Sequence, residues 1–225
     1  QINGIINIIG HAGSGTHLII ENRVPAFSNK NAISILKNSQ INVYHDKIEK
    51  VIRIKKMSER YDHKIIGKID LHLPFNTNLR GVIKNSDLTI SKVRGTIAIK
   101  TESTDSDLNN LNGNINISTR GGNISATKLS GEMELSVVSG DINIFDCDAN
   151  SMITMDNGNI FINGLKGNLL SNTTLGETLV SNYEGKNSVF NINVGSLKIN
   201  KSKSNINATI DIGSVNINNI LSLIH

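Results

Sequence analysis

Residues 113–130, which read GNINISTRGGNISATKLS, carry the pattern that decides the fold. Each half of this stretch begins with a glycine, Gly113 or Gly122, and has apolar residues two and four positions later, as at Ile115 and Ile117. Side chains two residues apart share one face of a β-strand, whereas in a helix they point to different faces. We therefore expect each half to be a short strand that begins at a tight corner.

The same unit recurs every nine residues through the rest of the chain, with one inserted residue between Gly185 and Gly195. Glycine or another small residue begins each unit: Gly95, Thr104, Gly113, Gly122, Gly131, Gly140, Ala149, Gly158, Gly167, Gly176, Gly185, Gly195, Ser204 and Gly213. A fixed period of this kind indicates a stack of similar structural units. Applied without change across the insertion, the pattern predicts that Asn187 and Val189 point inward.

A second series shows that the backbone completes one circuit, or coil, in two of these nine-residue units. Mostly apolar residues stand seven positions after every other member of the first series: Val93, Leu111, Leu129, Cys147, Leu165, Tyr183, Ser202 and Ile220. The alternate seventh positions are mostly polar, so two strands and one inward corner residue make a coil. The sequence therefore predicts an all-β, single-stranded parallel β-helix, or β-solenoid, with coils about 4.8 Å apart.

The periodicity also divides the chain. Residues 77–221 are predicted to form a regular solenoid of about eight coils, and residues 222–225 a tail. Residues 1–76 are predicted to form an irregular, β-rich N-terminal cap or first coils, because an end coil exposes unpaired backbone. Within this segment we expect strands at residues 5–9, 17–20, 41–44, 48–54 and 69–73, and a short helix at residues 32–37.

Composition narrows the classes of function. The 23 basic and 19 acidic residues are interspersed, and the formal net charge is only +4, so we expect a solvated surface and no nucleic-acid partner. No apolar run reaches the roughly 18 residues of a transmembrane helix. The single Cys147 excludes an intrachain disulfide framework. The chain begins at Gln1 rather than at a methionine, as expected of a truncated N-terminus.

Motifs that suggest ligand binding are incomplete. Residues 10–16, GHAGSGT, resemble a phosphate-binding loop but lack its lysine, so a strand connection is expected. Calcium-binding nonapeptide repeats need an aspartate that Gly121-Gly122-Asn123 lacks. Asp146 and Asp148 flank Cys147, which we expect to be a buried core residue with both carboxylates outward. The six histidines show no metal-ligand spacing.

Carbohydrate-active β-helix enzymes use clustered carboxylates on neighbouring coils. Asp105, Asp107 and Asp141 are the candidates here. One coil further along the chain, however, Asp107 and Asp141 are followed by Ser125 and Asn159 rather than by acids. We therefore predict no catalytic residue, no metal site and no cofactor.

An interaction surface is the one functional site that the pattern indicates. The residue between the two inward positions is usually polar, but in four successive units it is Met152, Phe161, Leu170 or Leu179. Coils of two units each would stack Met152 on Leu170 and Phe161 on Leu179 as two outward apolar ladders. Alternatively, N-terminal residues or a local bulge cover them.

The chain resembles the bacterial adhesin-like family of domains of unknown function, related to the head GIN auto-transporter adhesins. The resemblance rests on residues 4–10 (GIINIIG), residues 69–74 (IDLHLP), and tandem units such as residues 113–117 (GNINI) and 139–144 (SGDINI). It spans essentially the whole chain, and departs at Ser86, where similar sequences often have glycine. The resemblance implies a right-handed β-helix in an exported or surface protein.

Three functions remain open at this point. The leading hypothesis is a non-catalytic scaffold or adhesion module of the cell envelope or surface, with an unknown protein or surface glycan as partner. The alternative is a self-assembling, cytoskeleton-like rod, indicated by the apolar residues 220–224 (ILSLI). A carbohydrate-active enzyme is the third. We expect an extracytoplasmic location.

Overall fold

The computed structural model describes residues 2–23, 28–38, 41–46, 51–56 and 65–220. These residues are almost entirely strand, with one helix, α1 (Asn29–Asn38). The N-terminal strands are β1 (Ile2–His11), β2 (His17–Arg23), β3 (Ile41–Asp46), β4 (Val51–Lys56) and β5 (Ile65–Pro74). In the described part of the chain, no helix is long and apolar enough to cross a membrane.

Eleven further strands form the repeating region. They are β6 (Leu79–Lys84), β7 (Ser86–Ser91), β8 (Arg94–Glu102), β9 (Ser106–Asn109), β10 (Asn112–Thr119), β11 (Ile124–Thr127), β12 (Ser130–Ser139), β13 (Ile142–Phe145), β14 (Asp148–Asn157), β15 (Ile160–Asn163) and β16 (Leu169–Ile220). From β6 to β14, each strand pairs in parallel with the strand two places along the chain, and β15 pairs in parallel with β16. Ile115 faces Ile97 in the coil before it and Met133 in the coil after it. The stacked coils contain about 18 residues each and make about six turns, fewer than the eight predicted, and the predicted parallel β-solenoid is confirmed.

The strands of the solenoid form two stacks that meet in β16. We call β6, β8, β10, β12 and β14 the long-strand stack, and β7, β9, β11, β13 and β15 the short-strand stack. The long strand β16 continues both stacks, pairing with β14 and with β15. Side chains that point outward from the two stacks consequently lie on different faces of the rod.

The core is a set of columns, each built from equivalent residues of successive coils. In one coil the long strand buries Ile115, Ile117 and Thr119, and the short strand buries Ile124 and Ala126. The nine-residue pattern identifies two inward positions per strand but misses the third on the long strand. That position is held by Thr101, Thr119, Val137, Met155, Thr173 and Ile192. Because half of these residues are threonine, hydropathy alone does not mark the column as buried.

The corner column has the predicted composition. Leu129, Cys147 and Leu165 are all buried in it. The residue before each inward corner residue has a left-handed backbone conformation, with φ between +49° and +77°: Lys92, Asn110, Lys128, Asp146, Gly164, Asn182, Lys201 and Asn219. Only glycine, asparagine and aspartate adopt this region readily, so the lysines depend on the stacked coils to hold them there.

The one-residue insertion lies earlier than the unmodified pattern placed it, which makes the prediction for Asn187 and Val189 wrong. The backbone N–H of Asn187 donates to Oδ1 of Asn168, at a separation in sequence of 19 rather than 18, so the register has already shifted. Ser188 and Phe190 are the buried residues instead. Gly185 still stacks on Gly167 in the original register. The two residues are so close that a Cβ on Gly185 would overlap the carbonyl oxygen of Gly167. Lys186 is therefore the extra residue.

The N-terminal region extends the short-strand stack. Strand β1 pairs in parallel with β7 and β5, and β2 closes this edge in antiparallel orientation on β5. Strands β3 and β4 form a separate antiparallel pair. Helix α1 and the strands predicted around residues 5–9, 17–20, 41–44 and 69–73 are confirmed. Of the strand predicted at 48–54, residues 48–50 lie outside the described residues, as does the tail.

Candidate interaction surface

The first apolar ladder lies on the outside of the long-strand stack. Met152 of β14 pairs with Leu170 of β16, as the predicted coil length requires. Val189 continues the same row one coil further, because the flanking pairs Asn168–Asn187 and Asn172–Asn191 both have a separation in sequence of 19. We call Met152, Leu170 and Val189 the long-face ladder. Met152 is 41% exposed, and Leu170 and Val189 are half-buried, so the described residues leave part of each side chain accessible.

The other two predicted residues lie on the short-strand stack. Phe161 of β15 pairs with Leu179 of β16, and Leu179 is 38% exposed. The ring of Phe161 also packs against Phe145, with the centroids 5.5 Å apart. The four candidate residues therefore form the two predicted ladders, but on different faces of the rod.

An open groove of about 610 Å³ runs along the rod on the long-strand side, which we call the long-face groove. Two outward rows of side chains line it. One row is Thr96, Asn114, Glu132, Asn150, Asn168 and Asn187. The other is Asn116, Glu134, Met152, Leu170 and Val189. The long-face ladder thus supplies three of these eleven outward residues, and the other eight are polar.

Hydrogen bonds between coils hold the polar side of the groove in place. Nδ2 of Asn150 donates to Oε1 of Glu132 at 2.9 Å, and Oδ1 of Asn150 accepts the backbone N–H of Asn168 at 3.1 Å. Asn116 donates to the carboxylate of Glu134. Among the described residues that line the groove, Glu132 and Glu134 are the only charged ones. The sequence pattern assigned neither of the two glutamates nor Val189 to the site. Glu134 stands one coil before Met152, and this spacing was the signal that could have identified it.

Two of the candidate catalytic carboxylates belong to a structural ladder. Oδ1 of Asp105 accepts the backbone N–H of Asn123 at 2.7 Å, and Oδ1 of Asp141 accepts that of Asn159 at 2.8 Å. Asn123 and Asn159 in turn accept the N–H of the equivalent residue in the next coil. These side chains therefore act as hydrogen-bond acceptors that join successive coils.

A second, smaller pocket of about 300 Å³ lies on the short-strand side. Asp87, Asp105 and Asp107 line it, together with Asn123 and other polar residues. The sequence analysis did not identify Asp87 as a neighbour of Asp105, although the two residues stand one coil apart in the sequence. Among the residues that the structure describes, no three His, Cys, Asp or Glu side chains are placed to hold a metal ion.

Cys147 is a core residue, as predicted. The side chain is buried, and Asp146 and Asp148 on either side of it are more accessible. Burial raises the pKa of the Cys147 thiol, so the thiol is protonated at neutral pH. A protonated, buried thiol is neither a nucleophile nor a metal ligand.

The glycine-rich loop between β1 and β2 is closed by a histidine. Nδ1 of His11 accepts the backbone N–H of Gly13 at 2.9 Å, and Nε2 of His11 lies 2.9 Å from the carbonyl oxygen of Gly15. The loop thus forms a compact connection between the two strands.

Comparison of the chain with models of protein families, with curated proteins and with solved structures found no match.

Proposed function

We propose that this chain is a non-catalytic scaffold or adhesion module that binds a protein or a surface glycan through the long-face groove. The observation that carries the proposal is the long-face ladder, Met152, Leu170 and Val189, which lines the groove in three successive coils. Single exposed apolar side chains are normal on protein surfaces, but a contiguous row beside a polar rim is typical of an interaction site.

The solenoid makes this row suitable for recognition. Strands β14 and β16 are hydrogen-bonded in register, so Met152 and Leu170 keep a constant separation of about 4.8 Å, the spacing of paired strands. A surface that is already ordered loses little conformational entropy on binding. The cell-envelope or surface location is part of the proposal and is supported by the sequence resemblance.

A charge placed in the ladder tests the proposed function. We expect Leu170→Asp to reduce binding of the labelled chain to intact cells or envelope fractions of its source by about tenfold or more, because a carboxylate replaces the centre of the apolar contact. The measurement is a saturation-binding curve. Thr154→Asp is the matched control, since Thr154 is an exposed residue of β14 outside the groove lining. Equal binding by the two variants would contradict the proposal.

Self-assembly through a coil end is the second candidate function, and exposure of the last described coil favours it. Val215 and Ile220 are about half exposed, although Leu197 and Ser202, their equivalents in the preceding coil, are buried. A second copy that covered this coil would bury apolar side chains and pair the outer strand edge of the last described coil.

Sedimentation velocity over a range of concentrations separates the two candidates. If the coil end drives assembly, the 225-residue chain should form particles that grow with concentration, and Val215→Asp should keep it monomeric. A sedimentation coefficient that stays constant with concentration would eliminate self-assembly and leave the interaction module.

A further inference from the structure

We propose that the long-face groove binds an extended peptide segment of a partner protein, in which one basic residue is followed at intervals of two by two apolar residues. This inference rests on the proposed function, because it names the partner of the same surface. Three features of the groove support it: its charge, the spacing of the side chains along it and the chemistry of its apolar side.

The charge of the groove is opposite to that of the whole molecule. Glu132 and Glu134 lie side by side near its middle, in the coil before Met152, and none of the described residues that line it is a lysine, arginine or histidine. The chain as a whole has 23 basic residues and a formal net charge of +4. A local pair of carboxylates without cations attracts a positively charged ligand group.

The order of residues along the groove sets the order of groups in the ligand. Glu134, Met152, Leu170 and Val189 succeed one another from coil to coil. Three intervals of about 4.8 Å give about 14 Å from Glu134 to Val189. An extended peptide advances about 3.3 Å per residue and directs alternate side chains to one side. Its first, third and fifth residues would therefore meet the carboxylates, the Met152–Leu170 pair and Val189.

The apolar side of the groove favours a peptide over a glycan. The long-face ladder is aliphatic, and the lining residues in the described part of the chain include no aromatic one. Sugar rings are usually held against aromatic faces, whereas aliphatic side chains pack well on one another. The Oδ1 of Asn168 accepts the N–H of Asn187, which leaves the two Nδ2–H donors of Asn168 for a peptide carbonyl.

Fluorescence anisotropy with three labelled pentapeptides tests the inference on the 225-residue chain. The probes are Arg-Ser-Leu-Ser-Leu, its charge-reversed form Glu-Ser-Leu-Ser-Leu, and Arg-Ser-Ser-Ser-Ser, which lacks the apolar groups. We expect the first to bind at least about tenfold more tightly than either of the others, and its affinity to fall with added salt. Equal affinity for the arginine and glutamate probes would overturn the inference.

A charge-swapped groove provides the second test. The double variant Glu132→Lys, Glu134→Lys is expected to prefer the glutamate probe over the arginine probe, because the sign of the groove is reversed. Asp156→Lys is the matched control: Asp156 is exposed on β14 but does not line the groove, so its preference should be unchanged. Thermal melts check that each variant is folded. A double variant that is folded but keeps the preference for arginine would refute the charge assignment.

Failure of the inference and failure of the proposed function give different results. If no pentapeptide binds but cell binding is still lost in Leu170→Asp, the groove is an interaction site for another class of ligand, such as a glycan. If Leu170→Asp leaves cell binding unchanged, the proposed function fails. The inference is supported only when probe binding and cell binding are both lost in Leu170→Asp.

Discussion

Replacing Gly122 with alanine is expected to destabilise the solenoid by about 3 kcal/mol, while the same change at the adjacent Gly121 is expected to be nearly neutral. Gly122 has a φ of +109°, and a Cβ built on it would overlap the carbonyl oxygen of Thr104 in the neighbouring coil. A Cβ on Gly121 has no atom within 4 Å. The two substitutions remove the same residue type from the same corner, so their difference measures the combined effect of the positive φ and of the close contact with the neighbouring coil.

Urea unfolding of the two variants, followed by circular dichroism, measures this difference. The midpoint should fall markedly for Gly122→Ala and stay within error for Gly121→Ala, with similar dependence on urea concentration in both. Similar midpoints for the two variants would show that Gly122 has neither this backbone conformation nor this contact with the neighbouring coil.

Truncating the corner column is expected to have an effect of similar size. Leu165→Ala should destabilise the protein by about 3 kcal/mol, because a buried leucine loses its transfer free energy and leaves a cavity. Leu165 is 0% exposed and lies in one column with Leu129 and Cys147. Stacked coils limit the collapse that would otherwise fill the cavity.

Leu175→Ala is the matched control, since Leu175 is 48% exposed at a corner of the same solenoid. We expect it to change the free energy of unfolding by less than about 0.5 kcal/mol, as surface substitutions usually do. Comparable losses for Leu165→Ala and Leu175→Ala would mean that the corner column is not a dry core.

The coil and most of its core could be predicted because equivalent residues recur at fixed intervals in the amino-acid sequence. Glycine every nine residues, with Ile115 and Ile117 as the model for each strand, specifies both the inward face and the interval between stacked residues. Cys147 could be assigned to the core because Leu129 stands one coil before it and Leu165 one coil after it.

Other features left no comparable signal. The third inward position is threonine at Thr101, Thr119 and Thr173, and a threonine can face either the core or the solvent. The insertion at Lys186 left only a short signal: after it, the apolar residues Phe190 and Ile192 alternate in the shifted frame, and the unmodified pattern does not use them. As a result, Val189 was expected in the core rather than in the long-face ladder.

By itself, the sequence determined an all-β chain in which two nine-residue units make one coil, and which residues stack on one another in the regular coils. Only the tertiary structure decided that the two outward ladders lie on different faces and that β1 is inserted between β5 and β7. It also decided that Val189 extends one ladder at the end away from Glu134. The physical reason is that a repeat specifies contacts between equivalent residues of successive coils. The bends between strands, the effect of one extra residue and the pairing of strands distant in sequence depend on how the whole chain packs.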